Sequence, residues 1–318
     1  MPRVICLGEI LLDRFSTSAV ADVHDSSGWQ NYPGGAPANV AVNLAKLGIE
    51  SVLVGCVGQD PHGQFLLEFL QQAGVNTTAV QPVPAPTRQV FVTTGEDGDR
   101  QFVHTTGNAD LYLAPHHLHE NLFEGADFLV LGTIPLAHAN TSRAVGRALK
   151  LAETYFVKVV VDINWRPLFW QNPAQAGNLI TVLLKHTDFL KASAQEAMHF
   201  FRTTAPSAIG QKFPHLEGII VTEGDKGCRY YLGGRQSRCQ PIPVTSIDTT
   251  GAGDAFVAGF VSELCRHSLK DLENPVLAHK IIQFASAGGA LTTTTIGAVH
   301  PHMSREAVEN LIRHGHPG

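Results

Sequence analysis

Ten consecutive residues carry the strongest chemical signal in the chain: Ile247-Asp248-Thr249-Thr250-Gly251-Ala252-Gly253-Asp254-Ala255-Phe256. The segment Pro243 to Ile247 reads as a strand that gives way here to an apolar helix over Ala255 to Leu264. The first N–H groups of a helix lack partners within it and carry partial positive charge, so they form a ready anion site. Gly251 and Gly253 let the main chain come close to an anion. Asp254 is out of place in a site built only to hold one. It makes sense as a base that takes the proton from a hydroxyl attacking a phosphoryl group. The plainer alternative is a glycine turn with Asp254 as a helix cap, because a lone Gly-x-Gly-Asp is weak evidence.

Other segments offer partners for that chemistry. Gly34-Gly35-Ala36-Pro37-Ala38-Asn39 opens a helix; its glycines admit a ligand, and the Asn39 amide can donate to and accept from hydroxyls. Tight helix–strand packing explains the same glycines. Asp13 ends a strand-like segment, Gly8 to Leu12, and its carboxylate could accept from two hydroxyls of a diol or mark a surface turn. Asp162-Ile163-Asn164-Trp165-Arg166-Pro167 follows an apolar strand. Ligands of open α/β sheets bind beyond the carboxyl ends of strands, which suits Asn164 and Arg166. Arginine grips phosphate in a fork, though a structural salt bridge is the alternative. Ser193 with Glu196 three residues later reads as a capping box. Val221 to Gly227 reads as a hairpin, and Ala287-Gly288-Gly289-Ala290 suits either a flat ring or close helix packing.

The order of these motifs resembles the ribokinase-like (PfkB-type) sugar kinases. Their C-terminal signature, Asp-Thr-x-Gly-Ala-Gly-Asp-x-Phe, matches completely from Asp248 to Phe256, and Gly34-Gly35 with Asn39 matches their N-terminal one. The resemblance implies an α/β fold: a doubly wound, mostly parallel sheet with helices on both faces, plus a small β-sheet lid. It implies that Asp254 is the catalytic base and that the amides of Gly251, Ala252, Gly253 and Asp254 form the anion hole. Asp13, Gly34, Gly35, Asn39 and Asn164 would bind the sugar, and Arg166 would steady the sugar or the transferring phosphoryl group. Glu196 would act on Mg²⁺ through water; Ser193 stands where the wider family has asparagine. Thr222, Gly224 and Gly227 would shape the ATP phosphate loop, with Gly288 beside adenine. Asp248 and Thr250 would adjoin a monovalent cation, K⁺. Asp162-Ile163-Asn164-Trp165-Arg166-Pro167 and Ser193 with Glu196 look like the fructokinase branch, which implies ATP-dependent conversion of D-fructose to fructose 6-phosphate. Ribokinase, 2-keto-3-deoxygluconate kinase and nucleoside kinase are alternatives within the family. A non-catalytic sugar-binding regulator is the alternative outside it.

The elements that must position these residues alternate between strand and helix, as parallel sheets covered on both faces do. Strands are expected at Val4–Gly8, Ser51–Val57, Asp127–Leu131, Lys158–Asp162, Asp188–Leu190, Gly218–Thr222 and Cys228–Leu232. Helices are expected at Ala38–Leu47, Pro61–Ala73, Ser142–Thr154, Ala174–Lys185, Val276–Leu291 and Ser304–Arg313, with Phe65, Leu66, Phe69 and Leu70 on one face of the second. Phe15–Tyr32 is polar and irregular, while Gln89–Thr94 and Arg100–Thr105 read as a hairpin around Gly95-Glu96-Asp97-Gly98. A lid drawn from about 14–33 and 88–107, which in the family often makes a dimer contact, would project from a single domain over 1–318.

Size and composition agree. The chain has 318 residues, 44% hydrophobic and 16% charged, enough for one large core. A net charge of −5 without a basic block disfavours nucleic acid or an anionic membrane as partner. The first residues enter an apolar strand rather than a signal peptide, and the five cysteines lack Cys-x-x-Cys spacing, so a cytoplasmic protein with reduced thiols is expected. A P-loop motif and a helix-opening Gly-x-Gly-x-x-Gly after the first strand are both missing from the sequence, and its sixteen histidines form no zinc pattern.

Overall fold

A computed structural model describes residues 2–16, 28–94 and 100–315. The Gly95–Gly98 turn and most of the irregular Phe15–Tyr32 stretch lie outside the described residues. The strands, in chain order, are β1 (Arg3–Leu7), β2 (Leu11–Ser16), β3 (Trp29–Gly34), β4 (Glu50–Gly58), β5 (Asn76–Val83), β6 (Gln89–Thr94), β7 (Arg100–Thr106), β8 (Phe128–Leu131), β9 (Lys158–Asp162), β10 (Phe189–Ser193), β11 (Gly218–Thr222), β12 (Cys228–Leu232) and β13 (Arg235–Cys239). The helices are α1 (Ala36–Lys46), α2 (Pro61–Gln72), α3 (Ala139–Thr154), α4 (Ala176–Leu184), α5 (Ala194–Phe201), α6 (Pro206–Lys212), α7 (Ala252–Leu264), α8 (Pro275–Thr292) and α9 (Arg305–His314).

Among the described residues, nine strands form one sheet in the order β13-β12-β11-β10-β9-β8-β1-β4-β5. Neighbours from β11 to β5 run parallel, while β12 and β13 add an antiparallel edge. The strands are apolar on both sides because helices cover both faces. Along β1, Val4 and Cys6 join one buried cluster with residues of α1, α7, α8 and α9, and Ile5 and Leu7 join the other with residues of α3, α4 and α5. This is the alternation a strand's period of two dictates. The winding reverses between β1 and β8, and a crevice opens beyond the strand ends at such a reversal.

A second sheet, β3-β2-β6-β7, stands apart from the first. The chain crosses to it directly from β1 through Gly8, Glu9 and Ile10. Glu9 therefore enters the site from the junction between the sheets, and Asp13 from β2 of the small sheet. Among the described residues no helix is long and apolar enough to cross a membrane.

Three sequence expectations are corrected. Pro243 to Ile247 is not a strand: Pro241 and Pro243 cannot donate to a ladder, and Ile247 is 65% exposed. Asp13 does not end a strand but lies within β2, between Tyr32 of β3 and Val90 of β6. Phe65 is exposed, and Leu66 and Leu70 form the buried face of α2.

Candidate active site

The carboxyl ends of β1, β9 and β10, the start of α1 and the first turn of α7 converge on a cavity of about 540 Å³. Leu11, Asp13 and Val90 close it from the small sheet. Its size and mixed lining suit a small-molecule site.

Asp254 sits in the first turn of α7, and its Oδ2 accepts from Asn39 Nδ2 at 2.8 Å, which joins the two glycine motifs across 215 residues. Burial raises the Asp254 pKa to about 6; the Asn39 bond opposes this, Asp162 adds to it, and Lys191 and Arg166 oppose it. Asn39, read from sequence as a hydroxyl ligand, thus also orients the carboxylate. Gly251 precedes α7 with φ +74°, and a side chain there would run into the backbone of Ala298. The N–H groups of Gly251, Gly253 and Asp254 have no acceptor among the described residues, whereas that of Ala252 donates to the Thr249 carbonyl at 3.3 Å. Ala252 therefore drops out of the expected donor set, because its N–H closes the turn.

Gly35 holds the entry to α1 with φ +101°, and a side chain there would strike the Glu9 carbonyl. Glu9 Oε1 accepts from the Ala36 N–H at 3.1 Å, while its buried Oε2 has no partner. Burial pushes the Glu9 pKa up to about 8, so it is largely protonated at neutral pH. Gly34 does not line the cavity; a side chain at Gly34 would overlap the Asp13 carboxylate, so glycine there makes room for Asp13.

Beyond β9, Asn164 turns the chain with φ +39°, a region asparagine tolerates, and both Asn164 and Arg166 reach the cavity. At the end of β10, Ser193 caps α5 and Glu196 answers it, as the capping box implies. Glu196 Oε2 accepts from Ser193 N at 2.7 Å and Oε1 from Trp165 N at 2.6 Å. Burial alone would raise its pKa, but the charge of Lys191 and these N–H donors outweigh it and hold the carboxylate ionised. Asp248 takes N–H bonds from Thr250 at 2.9 Å and Gly297 at 2.7 Å, so it builds the turn before α7. Thr250 lines the cavity.

The remaining expected residues stand back from this wall. Thr222 ends β11 beside Ser193, and Gly224 and Gly227 form the β11–β12 hairpin. A side chain on Gly288 would lie 3.3 Å from the Ala255 carbonyl of α7, so close helix packing accounts for it. Glu9, Asp162 and Lys191 line the cavity without an expected role. The available signal was a charged residue inside, or directly after, an apolar strand.

No three His, Cys, Asp or Glu side chains among the described residues could hold a metal together. Magnesium takes few protein carboxylates and keeps waters and phosphate oxygens. Glu196 and Asp254 on a shared cavity fit an ion held in that way rather than in a protein cage.

Comparison with known proteins places this geometry. The profile described as pfkB family carbohydrate kinase matches residues 1–305. A curated relative named probable fructokinase-6, chloroplastic, from Arabidopsis thaliana is 34% identical over 317 residues, covering 98% of this chain and 82% of that protein. Fructokinase from Xylella fastidiosa with bound ATP superposes with a TM-score of 0.87 at 26% identity, covering 98% of each chain. A fructokinase double mutant from Vibrio cholerae O395 in its fructose-, ADP- and potassium-bound form gives 0.85 at 27% identity over 97% of each.

Proposed function

The chain belongs to the pfkB family of carbohydrate kinases, and from that premise we propose that it transfers the terminal phosphoryl group of ATP to D-fructose, giving fructose 6-phosphate. The observation that carries this reading is the Asp254 carboxylate beside the unpaired amides of Gly251, Gly253 and its own N–H, on a cavity able to hold a sugar. The names of the relatives support fructose over other sugars.

In this reading Asp13, Gly35 and Asn164 hold the sugar, and Asn39 turns Asp254 toward the attacking hydroxyl. That oxygen bonds to the terminal phosphorus as the bond to ADP breaks, and its proton passes to Asp254. The amides and Arg166 meet the charge on the phosphoryl oxygens. Mg²⁺, held through water at Glu196, would supply further charge neutralisation on the phosphates. The small sheet excludes water that would otherwise accept the phosphoryl group. Ser193, Thr222, Gly224 and Gly227 would border the nucleotide. A potassium-bound neighbour supports a monovalent cation near Asp248 and Thr250.

A panel of sugars in a coupled assay for ADP release tests the substrate. Fructose should exceed ribose in kcat/KM by at least about tenfold, a difference of about 1.4 kcal/mol in transition-state binding. A tenfold preference for ribose would overturn the assignment.

A further inference from the structure

A buried lysine stands over the anion hole. Lys191 on β10 is 8% exposed, and its Nζ bonds both carboxylate oxygens of Asp162, at 3.1 and 3.0 Å. Stability alone does not account for such a pair, since apolar residues of similar volume would serve the fold as well or better. Asp162 and Lys191 are register partners on β9 and β10, just where those strands end at the cavity.

Three observations tie Nζ to the reacting group. A side-chain carbon on Gly253 would lie 3.0 Å from it, so glycine keeps the ammonium beside the amides that open α7. An ammonium has three N–H donors, yet among the described residues its hydrogen bonds go to Asp162 alone. Finally, with Glu9 largely protonated, the cavity wall still sets four acidic side chains (Asp13, Asp162, Glu196 and Asp254) against two cations, Arg166 and Lys191. A polyphosphate entering so acidic a pocket needs fixed positive charge where it reacts.

We propose that Lys191 is a catalytic residue of phosphoryl transfer: its ammonium, held by Asp162, donates a hydrogen bond to the transferring phosphoryl group alongside the amides of Gly253 and Asp254. Lys191 keeps its proton throughout. The proton released by the sugar goes to Asp254, and the electron pair of the broken P–O bond stays on ADP. Asp162 is a positioning residue that fixes the lysine's rotamer. The inference rests on the kinase reading above and adds a charge to it.

Two variants test the role, Lys191→Met and the double variant Asp162→Asn/Lys191→Met, which leaves no lone buried carboxylate. Calorimetry with ADP and with the non-hydrolysable ATP analogue AMP-PNP reads contact to the terminal phosphate independently of turnover. Lys191→Met should lower kcat by about 10²–10³-fold, the range for losing one preorganised donor. It should weaken AMP-PNP binding at least about tenfold, while ADP and fructose affinities stay within about threefold. The double variant should fold with a Tm near that of wild type and remain equally slow. Recovery of normal turnover and AMP-PNP affinity in the double variant would overturn the proposal, because Lys191 would then serve only to neutralise Asp162. A wild-type protein that phosphorylates no sugar would instead bring down the kinase reading, and this inference with it.

Discussion

Burial lifts the Asp254 pKa to about 6, against the Asn39 bond and the charges of Lys191 and Arg166. The carboxylate is therefore ionised near pH 7 but less strongly so than an ordinary aspartate, which brings its basicity closer to the working pH. The sign follows directly. The base form exists above about pH 6 and is lost as pH falls through that value. Below pH 6, kcat/KM should fall about tenfold per pH unit. A rate profile flat down to pH 4.5 would show that Asp254 is not the group whose ionisation limits the reaction. Glu9 contrasts with it: buried, with one oxygen on the Ala36 N–H and a pKa near 8, it is a largely neutral strut rather than a second base.

At the scale of elements, the first turn of α7 matters most. Gly251 combines φ +74° with a backbone neighbour where a side chain would sit. Gly251→Ala should cost about 1–2 kcal/mol from the left-handed backbone alone. It should also displace the amides and reduce kcat by at least about tenfold. Urea unfolding and steady-state kinetics check both effects, and a variant with wild-type kcat would remove this turn from the anion hole. Elements with continuous apolar runs were legible in the sequence: β9, β11 and β12 fall on their expected ends. The edge strands of the large sheet were not. β13, Arg-Gln-Ser-Arg-Cys, is exposed through its first four residues, and β5 mixes threonine and glutamine with valine, so neither carries a hydrophobic period. Pro243 to Ile247 failed in the opposite direction: Pro243 has no N–H to give a ladder, and the Ile247 N–H goes to the Thr293 carbonyl instead. The motif residues of the site were readable because their types and spacing are local. The Lys191–Asp162 pair was not, because only the β9–β10 register brings the two side chains together.

The whole molecule gathers its chemistry from two sheets. The large sheet delivers Asn164 and Arg166 from beyond β9 and Ser193 from the end of β10, while α7 delivers Asp254. The small sheet contributes Asp13 and an apolar wall of Leu11 and Val90. A hydroxyl compound held by Asp13 would therefore be presented across the cavity to a base anchored on the other layer. The most direct test of this arrangement is ³¹P NMR of wild-type protein and Asp254→Asn, each mixed with ATP, Mg²⁺ and fructose. Wild type should produce a sugar phosphate ester in step with ADP, and the variant should do so about 10²–10⁴-fold more slowly. Ester formation by Asp254→Asn at the wild-type rate, or ADP with inorganic phosphate and no ester from wild type, would contradict the assignment.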